Sequence, residues 1–226
     1  MANHTRPDLS FDVLKFSNCL KEAKVSDLLA INKTVKKLKD HPCHILFPKL
    51  DPQTLNLKLF TDAAFANLPD GFSSTGGRIL LLCDGHGAFC PVAWSSTKIQ
   101  RVVTSSLSAE AHSLIDGLDA SYCVNALISE TIFKEKGKQL AVVALVDSLS
   151  LVQNVQSTTL ISEKHLRVNI ASIQESIGKE EVSLEWIPRA KQLADILTKN
   201  GVDPSILLSA FGGRADRTVQ RHDIQA

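Results

Sequence analysis

Paired cysteines are missing from this chain. Its 226 residues hold five, Cys19, Cys43, Cys83, Cys90 and Cys123, an odd and scattered set with no CxxC pair. That argues against a disulfide framework or a zinc knuckle and for reduced thiols in an intracellular setting, cytoplasmic or nuclear. His86, His112 and His165 lack ligand spacing, so they do not suggest zinc either. A strong charge of one sign is also absent. With 25 basic and 24 acidic residues the net charge is +1, so no global field demands nucleic acid, although a local basic strip would suffice. No apolar run approaches the ~20 residues of a bilayer-spanning helix, and no membrane partner is expected. Met1 leads into a polar stretch without the apolar segment of a secretory signal.

What is present is a globular composition, 44% hydrophobic and 22% charged, long enough for one sizeable core or two small ones. Residues 1–53 read as a helical prelude. Phe11, Val13, Leu14, Phe16 and Leu20 make one apolar stripe; Val25, Leu28, Leu29, Val35 and Leu38 make a second, with Ser26 or Asp27 to cap it. Pro42, Pro48 and Pro52 then break the chain. Strand-like runs follow at 55–63, 77–83 and 88–95, the last two joined by Asp84-Gly85-His86-Gly87, which is hairpin chemistry. Pro91 marks the third run as an edge strand.

A long helix is predicted from Ser105 or Ser106, because Leu107, Ala111, Leu114, Leu118 and Tyr122 recur at helical spacing. Residues 140–146 are uninterrupted apolar, as in a strand buried on both faces. A helix over 160–177, a strand over 181–188 and a short helix over 191–199 complete the pattern. The order βββαβαβα predicts a mixed sheet with helices on its faces. Residues 201–226 read as a C-terminal tail, its polar end from Gly212 onward expected to be disordered.

Four acidic residues stand out. Asp62 ends the first strand, and Asp147 ends the apolar one, where ligand sites concentrate. Glu110 falls on or beside the sheet-facing stripe of the long helix, an expensive place for a lone charge. Asp195 sits among Leu193, Ala194, Ile196 and Leu197. Each has an ordinary alternative: a strand-end turn for Asp62, a helix cap for Asp147, the helix N-terminus for Glu110 and an outer face for Asp195. If they converge, they need a cation, and hard oxygen ligands suit Mg²⁺ or Mn²⁺. Two such ions serve in-line displacement at phosphorus.

Several blocks now resemble one family in its own order. Phe60-Thr61-Asp62-Ala63 looks like a first-strand motif, and Ser73-Ser74-Thr75-Gly76-Gly77 like an "ST-G" turn. Trp94-Ser95-Ser96-Thr97-Lys98-Ile99-Gln100 is similar to "WSSKKQ". Thr104 to Ala111 is similar to "SSTEAE", Val146-Asp147-Ser148 to "CDN" and Lys164-His165-Leu166 to "KHI". Gln192 to Lys199 matches "QLADILTK". Residues 57–200 thus resemble the ribonuclease H domain of copia-type LTR retrotransposon Pol polyproteins. Thr5-Arg6-Pro7-Asp8-Leu9-Ser10-Phe11 resembles the "ARPD-F" segment that follows the reverse transcriptase. No polymerase YxDD motif is present, so the resemblance implies a Pol fragment or a free-standing descendant.

The resemblance implies a ribonuclease H-like α/β fold: a five-stranded mixed sheet, its first three strands antiparallel and then parallel, flanked by helices. It assigns residues 1–53 to the end of a reverse transcriptase and 54–200 to the ribonuclease H-like domain. It makes Asp62, Glu110, Asp147 and Asp195 catalytic ligands of two Mg²⁺ or Mn²⁺ ions, in an endonuclease acting on the RNA strand of RNA–DNA hybrids. Lys98, Gln100, Ser105 and Ser106 become contacts to the hybrid, and a reverse transcriptase domain becomes a partner. The family's Asn is Ser148 here, one of its paired acids is Ser108, its second acidic residue after the first-strand Asp is Ala64, and Pro188-Arg189-Ala190-Lys191 offers no His ahead of Asp195. These departures motivate a second reading, a non-catalytic descendant that binds nucleic acid or protein. A third reading is a resolvase- or integrase-like nuclease, which would share the sheet and the acidic site.

Overall fold

Alternation and apolar runs in the sequence become a twice-covered sheet. The structure is a computed structural model and describes residues 2–40, 42–134, 139–157, 161, 163–178 and 182–212. Three helices lead: α1 (Ala2–Thr5), α2 (Ser10–Cys19) and α3 (Val25–Asp40). Next come strands β1 (Asn56–Ala64), β2 (Thr75–Cys83) and β3 (Phe89–Lys98) and the long helix α4 (Ser106–Ile128). The second half holds β4 (Val142–Val146), α5 (Leu149–Gln156), α6 (Lys164–Gly178) and β5 (Val182–Trp186). Short 3₁₀ turns at Arg189–Lys191 and Leu193–Leu197 precede α7 (Ser205–Gly212).

The five strands stand in the order β3-β2-β1-β4-β5. β1, β2 and β3 pair antiparallel, while β4 joins β1, and β5 joins β4, in parallel. This is the expected ribonuclease H-like architecture. β3 is an edge, as Pro91 required, and the register slips beside that proline. Leu80 pairs with Ala93 and Leu81 with Pro91, which leaves Val92 as a bulge.

Both faces are covered. Leu57, Leu59, Leu80, Leu82, Val142 and Ala144 pack with Leu114 and Leu118 of α4 and Ile170 of α6. On the other face Phe60, Ile79, Leu81 and Leu145 meet Leu193, Ile196, Leu197, Leu207 and Phe211. Double coverage is why Leu80-Leu81-Leu82 and Val142–Val146 read as unbroken apolar runs. Ala2, the first described residue, and Phe211, next to the last described one, meet at this second face. Trp94 stacks at a tilt on Phe211, 5.7 Å between centroids, and its Nε1 donates to the Ala2 carbonyl at 2.8 Å. Arg6 and Asp8 form a two-bonded buried pair, at 2.8 and 2.9 Å.

Several elements depart from the sequence reading. The α3 stripe does not enter a core: Val25, Leu28, Leu29 and Val35 are exposed, and among the described residues none of α3 is buried. α3 packs chiefly on α2 and not on the sheet, so its apolar side finds little to cover. Its start is capped through Asp27, which accepts the Lys24 N–H at 2.8 Å. The tail includes α7, with Leu207 and Phe211 buried; eight residues are too few to show a helical period. α5 is a further short helix, capped by Ser148. The helix expected over 191–199 is two 3₁₀ turns instead. Gly212, where the expected disorder begins, is instead the last residue of α7; the rest of that stretch, 213–226, falls outside the described residues, as do the first residue of the strand expected from 181 and the first of the helix expected from 160.

One side chain fixes the entry to β4. Asn125, 3% exposed in α4, donates to the Leu140 carbonyl at 2.8 Å and accepts the Leu140 N–H at 2.9 Å. Asn125→Ala is expected to destabilise the protein by about 2–3 kcal/mol, because two backbone groups lose their buried partners. Urea unfolding reads the change directly.

Candidate active site

Asp62 lies near the end of β1, opposite Gly77 of β2. Gly77 has to be a glycine for space. A Cβ there would stand 2.8 Å from both Leu197 Cβ and Thr198 Cγ2, closer than packed atoms come. The closing segment therefore lies directly over the strand, and it brings its polar groups to Asp62. Thr198 Oγ1 donates to Asp62 Oδ2, and Lys199 Nζ sits 3.2 Å from Oδ1 and 3.1 Å from Oδ2. Ser113 of α4 donates to the Asp62 carbonyl at 2.8 Å, and Gln192 Nε2 donates to the Thr61 carbonyl at 2.9 Å. Asp62 is 1% exposed. Burial pushes its carboxyl pKa up, against the pull of Lys199 and Thr198.

Glu110 enters from the second turn of α4. Ser105 caps that helix by accepting the Ser108 N–H at 3.2 Å. Glu110 stands between Ala109 and Ala111, both fully buried. Its Oε2 is buried and has no hydrogen-bond partner among the described residues. Burial, and then the charges of Asp62 and Asp147, push its pKa up to about 9. Asp147 follows β4 directly, and its carbonyl accepts from Trp186 Nε1 of β5 at 3.1 Å. The cap of α5 is its neighbour Ser148. One carboxylate oxygen each from Asp62, Glu110 and Asp147 lies within 4.8 Å of the others.

Asp195 stands beside this trio and not in it. It is buried rather than on an outer face, and its Oδ1 pairs with Lys199 Nζ, with Arg189 at 3.7 Å. Lys199 thus bridges Asp62 and Asp195. Burial works against the Lys199 ammonium, but the two carboxylates more than offset it and its pKa is raised. Lys98 is engaged elsewhere, bonded to Asp70 Oδ2 at 3.1 Å and lying over the Phe72 ring. Gln100 is exposed, with Nε2 3.4 Å from the Lys98 carbonyl. Ser106 is exposed at the start of α4. Thr198 and Lys199 are the site residues that sequence reasoning passed over. They stand in the same block as Asp195, and the i, i+4 spacing of Asp195 and Lys199 was the available signal.

Carboxylates this close can be neutralised by protons or by a cation. The proton route gives a pH dependence with a definite sign. Glu110 titrates near 9 in the folded protein and near 4.5 in its ordinary state, so the folded state holds this proton more tightly. Its contribution to stability is complete below the ordinary pKa and is lost as pH rises toward the folded one. Asp62 acts in the same direction. In EDTA the protein is therefore expected to lose stability between about pH 5 and pH 9, and Glu110→Gln to flatten that slope. Urea unfolding across this range checks both.

No family model matches the chain. Over 202 aligned residues, covering 86% of it, the chain is 28% identical to the Retrovirus-related Pol polyprotein from transposon RE1 of Arabidopsis thaliana. It is 29% identical, over the same length and share, to the corresponding polyprotein from transposon RE2 of that plant. The chain spans only 13% of the length of either relative. Among solved structures, ribonuclease H1 from the halophilic archaeon Halobacterium salinarum NRC-1 overlays 67% of this chain and 97% of its own, with a TM-score of 0.48 and 19% identity. No helix among the described residues is long and apolar enough to cross a membrane. By sequence, then, 86% of the chain is similar to a 202-residue stretch of two retrovirus-related Pol polyproteins, and its five strands stand in the ribonuclease H-like order β3-β2-β1-β4-β5.

Proposed function

We propose that this chain is a divalent-metal-dependent ribonuclease H that hydrolyses the RNA strand of RNA–DNA hybrids, as part of or derived from a retrotransposon Pol. The observation that carries this reading is the convergence of Asp62, Glu110 and Asp147 from three separate elements. The buried, unpartnered Glu110 Oε2 fits a cation ligand, and an all-carboxylate set suits Mg²⁺ or Mn²⁺. Asp62, Glu110 and Asp147 would hold one ion, and Asp62 with Asp195 a second. Bound there, the ions would supply an activated water and neutralise the leaving 3′-oxygen, giving 3′-hydroxyl and 5′-phosphate ends.

The chain's own residues set the positions. Thr198 orients the Asp62 carboxylate, and Ser113 ties the Asp62 backbone to α4. Trp186 ties the Asp147 backbone to β5. Lys98, Gln100, Ser105 and Ser106 would meet the hybrid, where phosphates position it and 2′-hydroxyls identify the RNA strand. On this reading residues 1–53 are the end of a reverse transcriptase, which is the expected partner, and residues 54–200 the nuclease domain.

One observation favours a second reading, a hybrid-binding module without turnover: Asp62 and Asp195 already have a cation in Lys199. Three labelled duplexes of one sequence, an RNA–DNA hybrid, an RNA duplex and a DNA duplex, distinguish the readings in Mg²⁺ or Mn²⁺. Cutting confined to the RNA strand of the hybrid supports a ribonuclease H. Hybrid binding without cutting supports the module, and preferential cutting of DNA supports the resolvase- or integrase-like reading.

A further inference from the structure

The acidic cluster has two unlike halves. Glu110 presents an oxygen with no partner among the described residues. Asp62 and Asp195 share the Lys199 ammonium, which lies 3.1 and 3.2 Å from the two Asp62 oxygens and is bonded to Asp195 Oδ1. Both carboxylates are buried, and the lysine side chain is 28% exposed. An ammonium ion and a divalent ion cannot occupy the same oxygens. Lysine, however, is a point charge on a flexible stem, and the exposed part of this side chain gives it a way out to solvent.

We propose that Lys199 is the resident cation of the Asp62–Asp195 half. It holds these two carboxylates while no divalent ion is there, and it withdraws when one binds. The inference rests on the metal-dependent reading above and adds an order of loading. The half formed by Asp62, Glu110 and Asp147 takes its ion first, because Lys199 contacts only one of its three carboxylates, Asp62, but both carboxylates of the other half. The Asp62–Asp195 half loads second, against a tethered competitor whose local concentration is high.

The test is Mn²⁺ binding, followed by the electron paramagnetic resonance of the free ion, for the wild type, Lys199→Met and Lys199→Arg. The wild type is expected to bind one ion tightly and one weakly. Lys199→Met should tighten the weak site about tenfold, since a fixed positive charge at contact distance is gone. Lys199→Arg, which keeps the charge, should leave that site weak. Unchanged or weaker Mn²⁺ binding by folded Lys199→Met overturns the proposal while the metal-dependent reading stands. No Mn²⁺ binding by any of the proteins removes that reading and the proposal with it. If Lys199→Met does not fold, amine labelling of the wild type decides. Saturating Mn²⁺ should raise the reactivity of Lys199, and labelling that stays the same or falls overturns the proposal.

Discussion

Asp62→Asn is expected to reduce hybrid cleavage by roughly a thousandfold or more, because it removes the one carboxylate that both halves of the cluster share. The substitution is nearly isosteric. An amide oxygen can still accept from Thr198 and Lys199, which both reach the carboxylate now, so the closing segment keeps its anchor. The metal-free protein should not lose stability, since burial already opposes the charge that Asp62 carries. The expected signature is therefore divided: single-turnover cleavage collapses while the urea midpoint in EDTA stays or rises. A variant that cuts within about tenfold of the wild type would remove Asp62 from the reaction.

Gly77→Ala is expected to cost about 3 kcal/mol of stability and most of the activity. The new Cβ would meet Leu197 Cβ and Thr198 Cγ2 at 2.8 Å, with the Ala194 carbonyl oxygen at 3.2 Å. None of these is the loose end of a long side chain. The segment has to lift, and with it go Asp195, Thr198 and Lys199. Gly76→Ala is expected to cost less, because its nearest neighbour, Ser113 Oγ, is 3.2 Å away and has to give by only a few tenths of an ångström, at the expense of its bond to the Asp62 carbonyl. If Gly77→Ala melts with the wild type, the closing segment does not lie over β2 as described.

The sheet was legible because its signals are local. Leu57 and Leu59 alternate along β1, and Asp84 accepts the N–H groups of His86 and Ala88, both at 2.9 Å, to make the hairpin that Asp-Gly-His-Gly announced. Pro91 marked the edge for an equally local reason, its missing donor. The carboxylates at strand ends could be picked out, but their meeting depends on strand order. Asp62 and Asp147 become neighbours only because β4 pairs parallel to β1. Sequence says nothing of which surfaces meet across long separations. Phe211 covering Trp94, α3 lying against α2 with most of its stripe in water, and Lys199 between two carboxylates are all of this kind. Gly77 belongs there too. It reads as one more turn residue until Leu197 is seen above it.

Metal-dependent hydrolysis of RNA paired with DNA is the activity proposed for the carboxylate cluster. The most direct measurement is cleavage of a hybrid labelled on its RNA strand, with the wild type in Mg²⁺ and in EDTA, and with Asp147→Asn in Mg²⁺. RNA products with 5′-phosphate ends are expected from the wild type in Mg²⁺ alone. Cutting that persists in EDTA, or that is equal in Asp147→Asn, would contradict that proposal.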